Sequence, residues 1–300
     1  MKDRRALLAA GALVINAFVW GVSWWPFRAL QGYGLHPLWA TALIYGAATL
    51  GVLAWRPQAW RGMLAHPALL LLAAAAGLTN VGFNWAVTVG DVVRVVLLFY
   101  LMPAWSVLIA WAMLGEKPSA GSLARLALAL AGVVIVLKSP GSPWPVPQSA
   151  ADWLALAGGL SFAFTNVLLR KLGATPGEGR MLAMFGGGAL MASAAALAGM
   201  AWQMVPPPAF QLAGLVGPGI AVALCLAFLA SNWALQYGAA RLAASTTALV
   251  MLTEILFASA SAALLGAAEF STRTLLGGGL IVLAALLAAL APEPPPAAAE

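Results

Sequence analysis

One acidic residue lies inside a long apolar run, where burying a carboxylate costs free energy. Glu254 lies near the middle of an almost uncharged run from Leu242 to Leu265. A carboxylate at the centre of a membrane-spanning helix costs about 2.5 to 3.5 kcal/mol on insertion scales, so such residues usually face a cavity or a partner. Three roles fit: Glu254 could carry a coupling proton, bind a substrate ammonium, or hydrogen-bond neighbouring hydroxyls such as that of Thr253.

Carboxamide side chains recur at helical spacing in two other apolar runs. Asn80 and Asn84 are four residues apart, as are Asn232 and Gln236, so each pair shares one face of its helix. Amides both donate and accept hydrogen bonds, which suits the carboxylate and ammonium of an amino acid. The alternative is interhelical hydrogen bonding, which stabilises membrane helices by only about 0.6 kcal/mol per bond. Asn166 is a third candidate of this kind.

Aromatic side chains are frequent, with 13 tryptophans among 300 residues. Many lie near the ends of apolar runs, where indoles anchor at the membrane interface. Deeper rings would either line an apolar cavity that stacks on an aromatic ligand or pack as core; these are Trp20, Trp85, Tyr100, Trp105 and Phe162. Trp20 and Tyr100 are preferred, because Gly21 adjoins the first and Pro103 follows the second by one turn.

The run from Val92 to Leu114 holds Pro103 near its middle. Proline bends a helix and frees a backbone carbonyl, which lipid tolerates only where neighbouring helices or a water-filled cavity satisfy the backbone. We therefore expect this helix to line the functional site. Arg94 begins the helix together with Asp91, and the pair is interpreted as a cap on the helix start. An outer gate or a contact to a substrate carboxylate is the alternative for Arg94.

Long apolar helices must position these residues. The chain is 63% hydrophobic and 8% charged, with a mean hydropathy of +0.93, whereas soluble domains carry about 25% charged residues. This composition excludes a soluble globular protein. Ten runs have roughly the length that crosses about 30 Å of hydrocarbon: 7–27, 37–55, 67–87, 92–114, 122–137, 152–169, 181–202, 211–236, 242–265 and 274–290. The predicted fold is all-α and integral to the membrane, with ten transmembrane helices.

The basic residues predict how these helices cross the membrane. With a cytoplasmic N-terminus, eleven of the 15 Lys and Arg residues fall inside and four outside, as expected when cytoplasmic loops are the more basic. The four are Arg28, Arg94, Lys138 and Arg273. Both termini are therefore predicted to be cytoplasmic, in the inner membrane of a bacterium. The first run is too long for a cleaved signal sequence and is interpreted as a retained helix.

The two halves of the chain repeat the same motifs in the same order. Residues 23–28 correspond to 165–170, Asn84 and Gly90 to Asn232 and Gly238, and Leu114-Gly115-Glu116 more loosely to Leu265-Gly266 and Glu269. Each half holds five spans, an odd number, so the second half must enter the membrane in the opposite orientation. This predicts an inverted-topology repeat, a common plan of secondary transporters, whose substrate site lies between the halves near the midplane. The predicted units are residues 1–138, an outer linker 139–151, residues 152–291 and a disordered tail 292–300.

Three short motifs carry a family resemblance. Trp20-Gly21 followed by Ser23, Pro103 through Leu114-Gly115-Glu116, and Gly132-Val133 resemble the repeat unit of EamA-type members of the drug/metabolite transporter superfamily. The resemblance covers essentially the whole chain. It implies a ten-helix exporter of amino acids or related metabolites that works by alternating access, similar to the aromatic amino acid exporters. The second half departs from the pattern, because no proline repeats Pro103 and two extra residues precede Glu269.

Other classes of function lack the residues that they need. Both histidines, His36 and His66, fall at span boundaries, and the sequence has no metalloprotease motif, buried acid pair or nucleotide-binding loop. We therefore predict no enzyme, no cofactor, no metal site and no ATP-driven pump. A channel would need a selectivity filter or a ring of charges. The single cysteine, Cys225, is expected to be a small core residue.

The prediction is a secondary transporter that exports a small, partly apolar zwitterion. Its partners are the substrate, the lipid bilayer and, as an open alternative, a coupling proton, whereas the scattered basic residues exclude nucleic acid. The chain is expected to act as a monomer or weak dimer. A multidrug or other metabolite exporter, or a uniporter without proton coupling, is the alternative function.

Overall fold

In the computed structural model of the chain, residues 2–115, 118–138, 146–172, 174–208, 216–239, 250–251, 253–267 and 271–289 are described. These residues form helices and short connections, with no strand among them. Predictions for Glu116, Glu269, the linker at 139–145, the start of the ninth span at 242–249 and the tail at 292–300 lie outside the described residues.

Thirteen helices follow one another in the described ranges. They are α1 (Lys2–Val22), α2 (Trp24–Gly32), α3 (Pro37–Trp55), α4 (Ala59–Ala65), α5 (Ala68–Val89), α6 (Val92–Phe99), α7 (Met102–Leu114), α8 (Ala120–Leu137), α9 (Ala150–Lys171), α10 (Gly177–Ala201), α11 (Val216–Ala239), α12 (Thr253–Leu264) and α13 (Thr272–Ala289). The short helix α4 was not predicted from the sequence.

Eight stretches of the described chain are helical, long and apolar enough to cross a membrane. The first joins α1 to α2, at Leu7–Gly32, and the fourth joins α6 to α7, at Val92–Met113. Shorter apolar helices follow at Thr253–Leu264 and Thr272–Ala284. The all-α membrane class is therefore confirmed, whereas the count of ten spans and the inverted repeat stay predictions.

Two of the spans are interrupted near a proline. In the first span, Ser23 separates α1 from α2, and its hydroxyl donates to the carbonyl oxygen of Trp20 at 2.8 Å. Pro26 lies three positions after this break and has no N–H to donate to the preceding turn. The fourth span is interrupted at Tyr100 and Leu101, just before Pro103 in the first turn of α7. Each of these spans therefore consists of two helical segments.

The helices of the two halves pack against one another rather than as separate bundles. Helix α5 packs extensively against α9 and α10, and α1 packs against α11 and α12. Helices α8 and α13 form a further pair. Residues from both halves consequently share the principal apolar cluster, which surrounds α6.

Candidate functional site

The central polar contact of the site joins Tyr100 to Glu254. The Tyr100 hydroxyl donates to Glu254 Oε2 at 2.8 Å and lies 3.2 Å from the carbonyl oxygen of Met251. Both side chains are buried, with 3% of Tyr100 and 6% of Glu254 exposed. The contact links two halves of the chain that are 154 residues apart in sequence.

The break between α6 and α7 positions Tyr100. Because Pro103 has no N–H, the carbonyl of Phe99 loses the partner that a continuous helix would supply. Helix α9 lies directly against that carbonyl: a Cβ added at Gly159 would come within 2.5 Å of the Phe99 oxygen. Tyr100, the residue that follows, then reaches across to the second half.

Glu254 has no basic neighbour in the part of the chain that the structure describes. The salt bridge found there joins Arg94 to Asp152, and no Lys or Arg nitrogen lies within 4.0 Å of the Glu254 carboxylate. Helix α1 crosses α12 closely at this point, since a Cβ on Gly21 would lie 2.8 Å from the backbone oxygen of Glu254. The carboxylate is therefore enclosed by helices and bonded to a neutral phenol.

Six rings form a continuous group between the halves, which we name the aromatic cluster: Trp20, Tyr45, Phe83, Phe99, Phe162 and Phe228. The ring centroids are 4.8 Å apart for Trp20 and Phe228, 6.0 Å for Trp20 and Phe83, 4.7 Å for Phe83 and Phe99, 5.4 Å for Phe99 and Phe162, and 5.6 Å for Tyr45 and Phe228. Tyr100 adjoins the group, with its centroid 6.2 Å from that of Phe99. The cluster contains two of the predicted rings, Trp20 and Phe162.

These rings touch one another, so a ligand can enter the cluster only if they separate. Cavities of about 360 and 420 Å³ that described residues line lie elsewhere. The first is lined by residues 200 and 203–207 after α10, and the second by residues 35, 39, 42, 43 and 208. The described rings around Trp20 contact one another in this conformation, and the apolar cavity expected there stays a prediction.

The predicted amides of α5 bond to α3. The Tyr45 hydroxyl donates to Asn80 Oδ1, and Asn80 Nδ2 donates to the Ala76 carbonyl at 2.7 Å. Asn84 Nδ2 donates to Thr41 Oγ1 at 3.2 Å. Asn84 is fully buried, and its Oδ1 accepts no hydrogen bond from the described residues. The two amides therefore join α5 to α3 in the interior of the protein.

The remaining predicted residues are more dispersed. Asn166 Nδ2 lies 4.0 Å from the sulfur of Met102, and Asn232 is partly exposed on α11. Trp105 packs beside the principal apolar cluster, and its buried Nε1 donates to no described residue. The structure brings Tyr100 and Glu254 together and does not show the asparagines of α5 and α11 in one site.

Arg94 connects the halves at one end of the molecule. Its Nε and Nη2 donate to the two carboxylate oxygens of Asp152 at 2.8 and 2.9 Å, and its Nη1 donates to the Val136 carbonyl at 2.6 Å. The side chain of Asp91 instead accepts from the backbone N–H of Arg94 at 2.7 Å, which caps α6. The cap is thus present, but the guanidinium binds the second half.

Two further arginines predicted to lie outside bind the C-terminal ends of helices. Arg28 donates to the carbonyls of Val87 and Gly90 at the end of α5, and Arg273 donates to the Lys138 carbonyl after α8. A cation is favourable at a helix C-terminus, where unpaired carbonyls carry partial negative charge. Both arginines therefore stabilise helix ends, and their location on the outer side stays a prediction.

Sequence reasoning missed a buried polar group beside Glu254. Asn16 on α1 donates from Nδ2 to the Met251 sulfur at 3.3 Å, and its Oδ1 accepts from the Ser231 hydroxyl at 2.7 Å. The signal was available, because Asn16 is an amide inside the first apolar run. The sequence predicts Asp152 only as the first residue of the sixth span and not as the partner of Arg94.

We expect Arg94→Gln to destabilise the protein more than Arg94→Gln combined with Asp152→Asn. The single substitution leaves a buried carboxylate without its cation, and removing one partner of a buried ion pair costs about 3 to 5 kcal/mol. The double variant removes that charge as well. Thermal unfolding of the detergent-purified protein measures both effects. An equal loss of thermal stability in the two variants would show that the unpaired Asp152 carboxylate does not cause the destabilisation.

Residues 7–138 match the EamA-like transporter family, in agreement with the resemblance of the motifs in the first half. A solved structure titled "Crystal structure of protein" is similar over 93% of this chain and 96% of its own, with a TM-score of 0.56 and 18% identity. That likeness shows a shared fold. A comparison with curated proteins gave no match.

Proposed function

We propose that this chain, whose residues 7–138 match the EamA-like transporter family, is a secondary transporter that exports aromatic and other apolar amino acids or related small metabolites. It would act in the cytoplasmic membrane of a bacterium by alternating access, with both termini in the cytoplasm. The substrate binds between the halves, against the aromatic cluster and the Tyr100–Glu254 pair.

The observation that carries the proposal is the buried carboxylate of Glu254, which accepts from Tyr100, a residue whose ring adjoins the aromatic cluster. A buried acid with only a neutral partner is costly in a membrane, and such residues mark substrate or proton pathways. Tyr100 reaches it from the first half, while the Phe99–Phe162 contact brings α6 against the second half. A substrate with an apolar body and an ammonium group matches both features.

Repeated local geometry supports an inverted repeat. Gly115 and Gly266, which correspond in the two halves, both adopt left-handed backbone, with φ of 71° and 66°. A Cβ on Gly90 would meet the side chain of Ala151 at 2.6 Å, and one on Gly238 would meet the Ala9 carbonyl at 2.9 Å. The Gly90 contact joins α5 to α9, and the Gly238 contact joins α11 to α1. These two helix pairs are equivalent in the proposed repeat.

Alternating access assigns a gating role to Arg94. Its ion pair with Asp152 joins the halves at one end, so that opening this end must separate the guanidinium from the carboxylate. The break before Pro103 lies on the same span, between this ion pair and α7. A bend at Tyr100 would therefore move the gate and the site together.

Uptake into proteoliposomes tests the proposed function. Radiolabelled tryptophan, phenylalanine, threonine and putrescine are compared, with and without a proton gradient and against protein-free liposomes. We expect tryptophan and phenylalanine to be transported in preference to the other two. An effect of the gradient would indicate proton coupling, and its absence a uniporter. No protein-dependent uptake of any of the four would contradict the amino acid proposal.

A further inference from the structure

We infer that the site prefers apolar amines that carry a net positive charge over the free amino acids. In such substrates the carboxylate is absent or is masked as an amide or ester. The inference rests on the proposed function, because it concerns the charge of what the same site transports.

The charges of the side chains at the site favour a cationic substrate. Glu254 places one carboxylate against Tyr100, and within the described ranges no basic side chain forms a salt bridge with it. Two arginines of the described chain already have other partners: Arg28 donates to backbone carbonyls, and Arg94 binds Asp152. A monocation would neutralise the site, whereas a zwitterion would bring a second carboxylate that finds no cation among the described residues.

Tyr100 allows the carboxylate to change partners. Its hydroxyl lies within hydrogen-bonding distance of both Glu254 Oε2, at 2.8 Å, and the Met251 carbonyl, at 3.2 Å. When an ammonium binds Glu254, the phenol can turn to Met251 and keep one hydrogen bond. The exchange leaves no buried hydroxyl unpaired, which would otherwise oppose binding.

The surrounding rings suit a cation as well as an apolar body. Aromatic faces attract ammonium groups within about 6 Å of the ring centroid, and Phe99 adjoins Tyr100 directly. Trp105 packs against the same apolar cluster, and its Nε1–H is buried without a described acceptor. A neutral N–H of this kind can bind the carbonyl of a masked acid, but it cannot balance the charge of a free carboxylate.

Four probes with the same phenyl ring separate these charges: phenylalanine, phenylalaninamide, phenethyltrimethylammonium and 3-phenylpropionate. The trimethylammonium probe is permanently charged, so it neither leaks as a neutral amine nor depends on protonation. Uptake into proteoliposomes is measured for the wild type, Glu254→Gln and Glu178→Gln. The last variant is the matched control, because Glu178 is an exposed acid at the start of α10.

We expect the two cationic probes to be taken up at least about tenfold more efficiently than phenylalanine, a ratio that corresponds to about 1.4 kcal/mol. The 3-phenylpropionate probe should not be transported. Glu254→Gln should abolish the cation preference, and Glu178→Gln should retain it. Phenylalanine uptake equal to or above that of the cations would overturn the inference and leave the proposed function intact. A cation preference that survives in Glu254→Gln would overturn the role of Glu254, and flat traces for every probe and amino acid would overturn the proposed function itself.

Discussion

Transport by the Glu254→Gln variant is expected to fall at least about thirtyfold, because loss of one partner of a buried charge pair costs about 2 to 5 kcal/mol. Glutamine keeps the shape of the side chain and an oxygen that accepts from Tyr100, which lies 2.8 Å away in the wild type. The substitution therefore removes the charge and little else. Substrate uptake into proteoliposomes measures the loss.

The stability of the same variant separates function from folding. An uncharged side chain is cheaper to bury than a carboxylate, so Glu254→Gln should unfold at the same temperature as the wild type or higher. Glu178→Gln, at an exposed position on α10, should change neither stability nor transport. Wild-type transport rates in Glu254→Gln would show that the carboxylate does not bind the substrate or carry a proton. In that case its role would be structural.

The second large effect is expected at Gly187, where α10 crosses α5. A Cβ at this position would overlap with the Ala73 carbonyl oxygen, which belongs to the backbone of α5 and cannot move aside as a side chain would. Overpacking typically costs about 1 to 3 kcal/mol. Gly187→Ala should therefore lower the thermal unfolding temperature of the detergent-purified protein by several degrees.

The adjacent residue provides the control for this substitution. A Cβ on Gly186 would meet nothing nearer than the Thr49 methyl group at 3.9 Å. Alanine is a better helix former than glycine by about 0.8 to 1.0 kcal/mol, so Gly186→Ala should leave the unfolding temperature unchanged or raise it. Equal unfolding temperatures for the two variants would contradict the close crossing of α5 and α10.

The sequence was sufficient to predict most of the long helices and to single out Tyr100 and Glu254, which the structure brings into contact. Uncharged runs of sufficient length define spans, and the cost of a buried carboxylate singled out Glu254. Pro103 likewise predicted a bend in the fourth span, and the structure interrupts that span at Tyr100 and Leu101. These predictions depend on local composition and spacing, which the sequence shows directly.

The sequence did not predict which faces of the helices meet. In a membrane both the lipid-facing and the buried side of a helix are apolar, so hydrophobic periodicity does not reveal its rotation. Trp233 is 63% exposed although the neighbouring Asn232 was a site candidate. The partners of Tyr100 and Arg94 lie 154 and 58 residues away in sequence. Pairings at that distance follow from the packing of whole helices.

The most direct test of the account is to map where a substrate binds. A photoreactive diazirine derivative of phenylalanine is bound to the purified protein, irradiated and located by peptide mass spectrometry, with excess unlabelled phenylalanine as competitor. We expect competed labelling on the aromatic cluster in both halves, at or beside Phe83, Phe99, Phe162 and Phe228. Competed labelling confined to the cavities at residues 35–43 and 200–208, with none on the cluster, would contradict a substrate site between the halves.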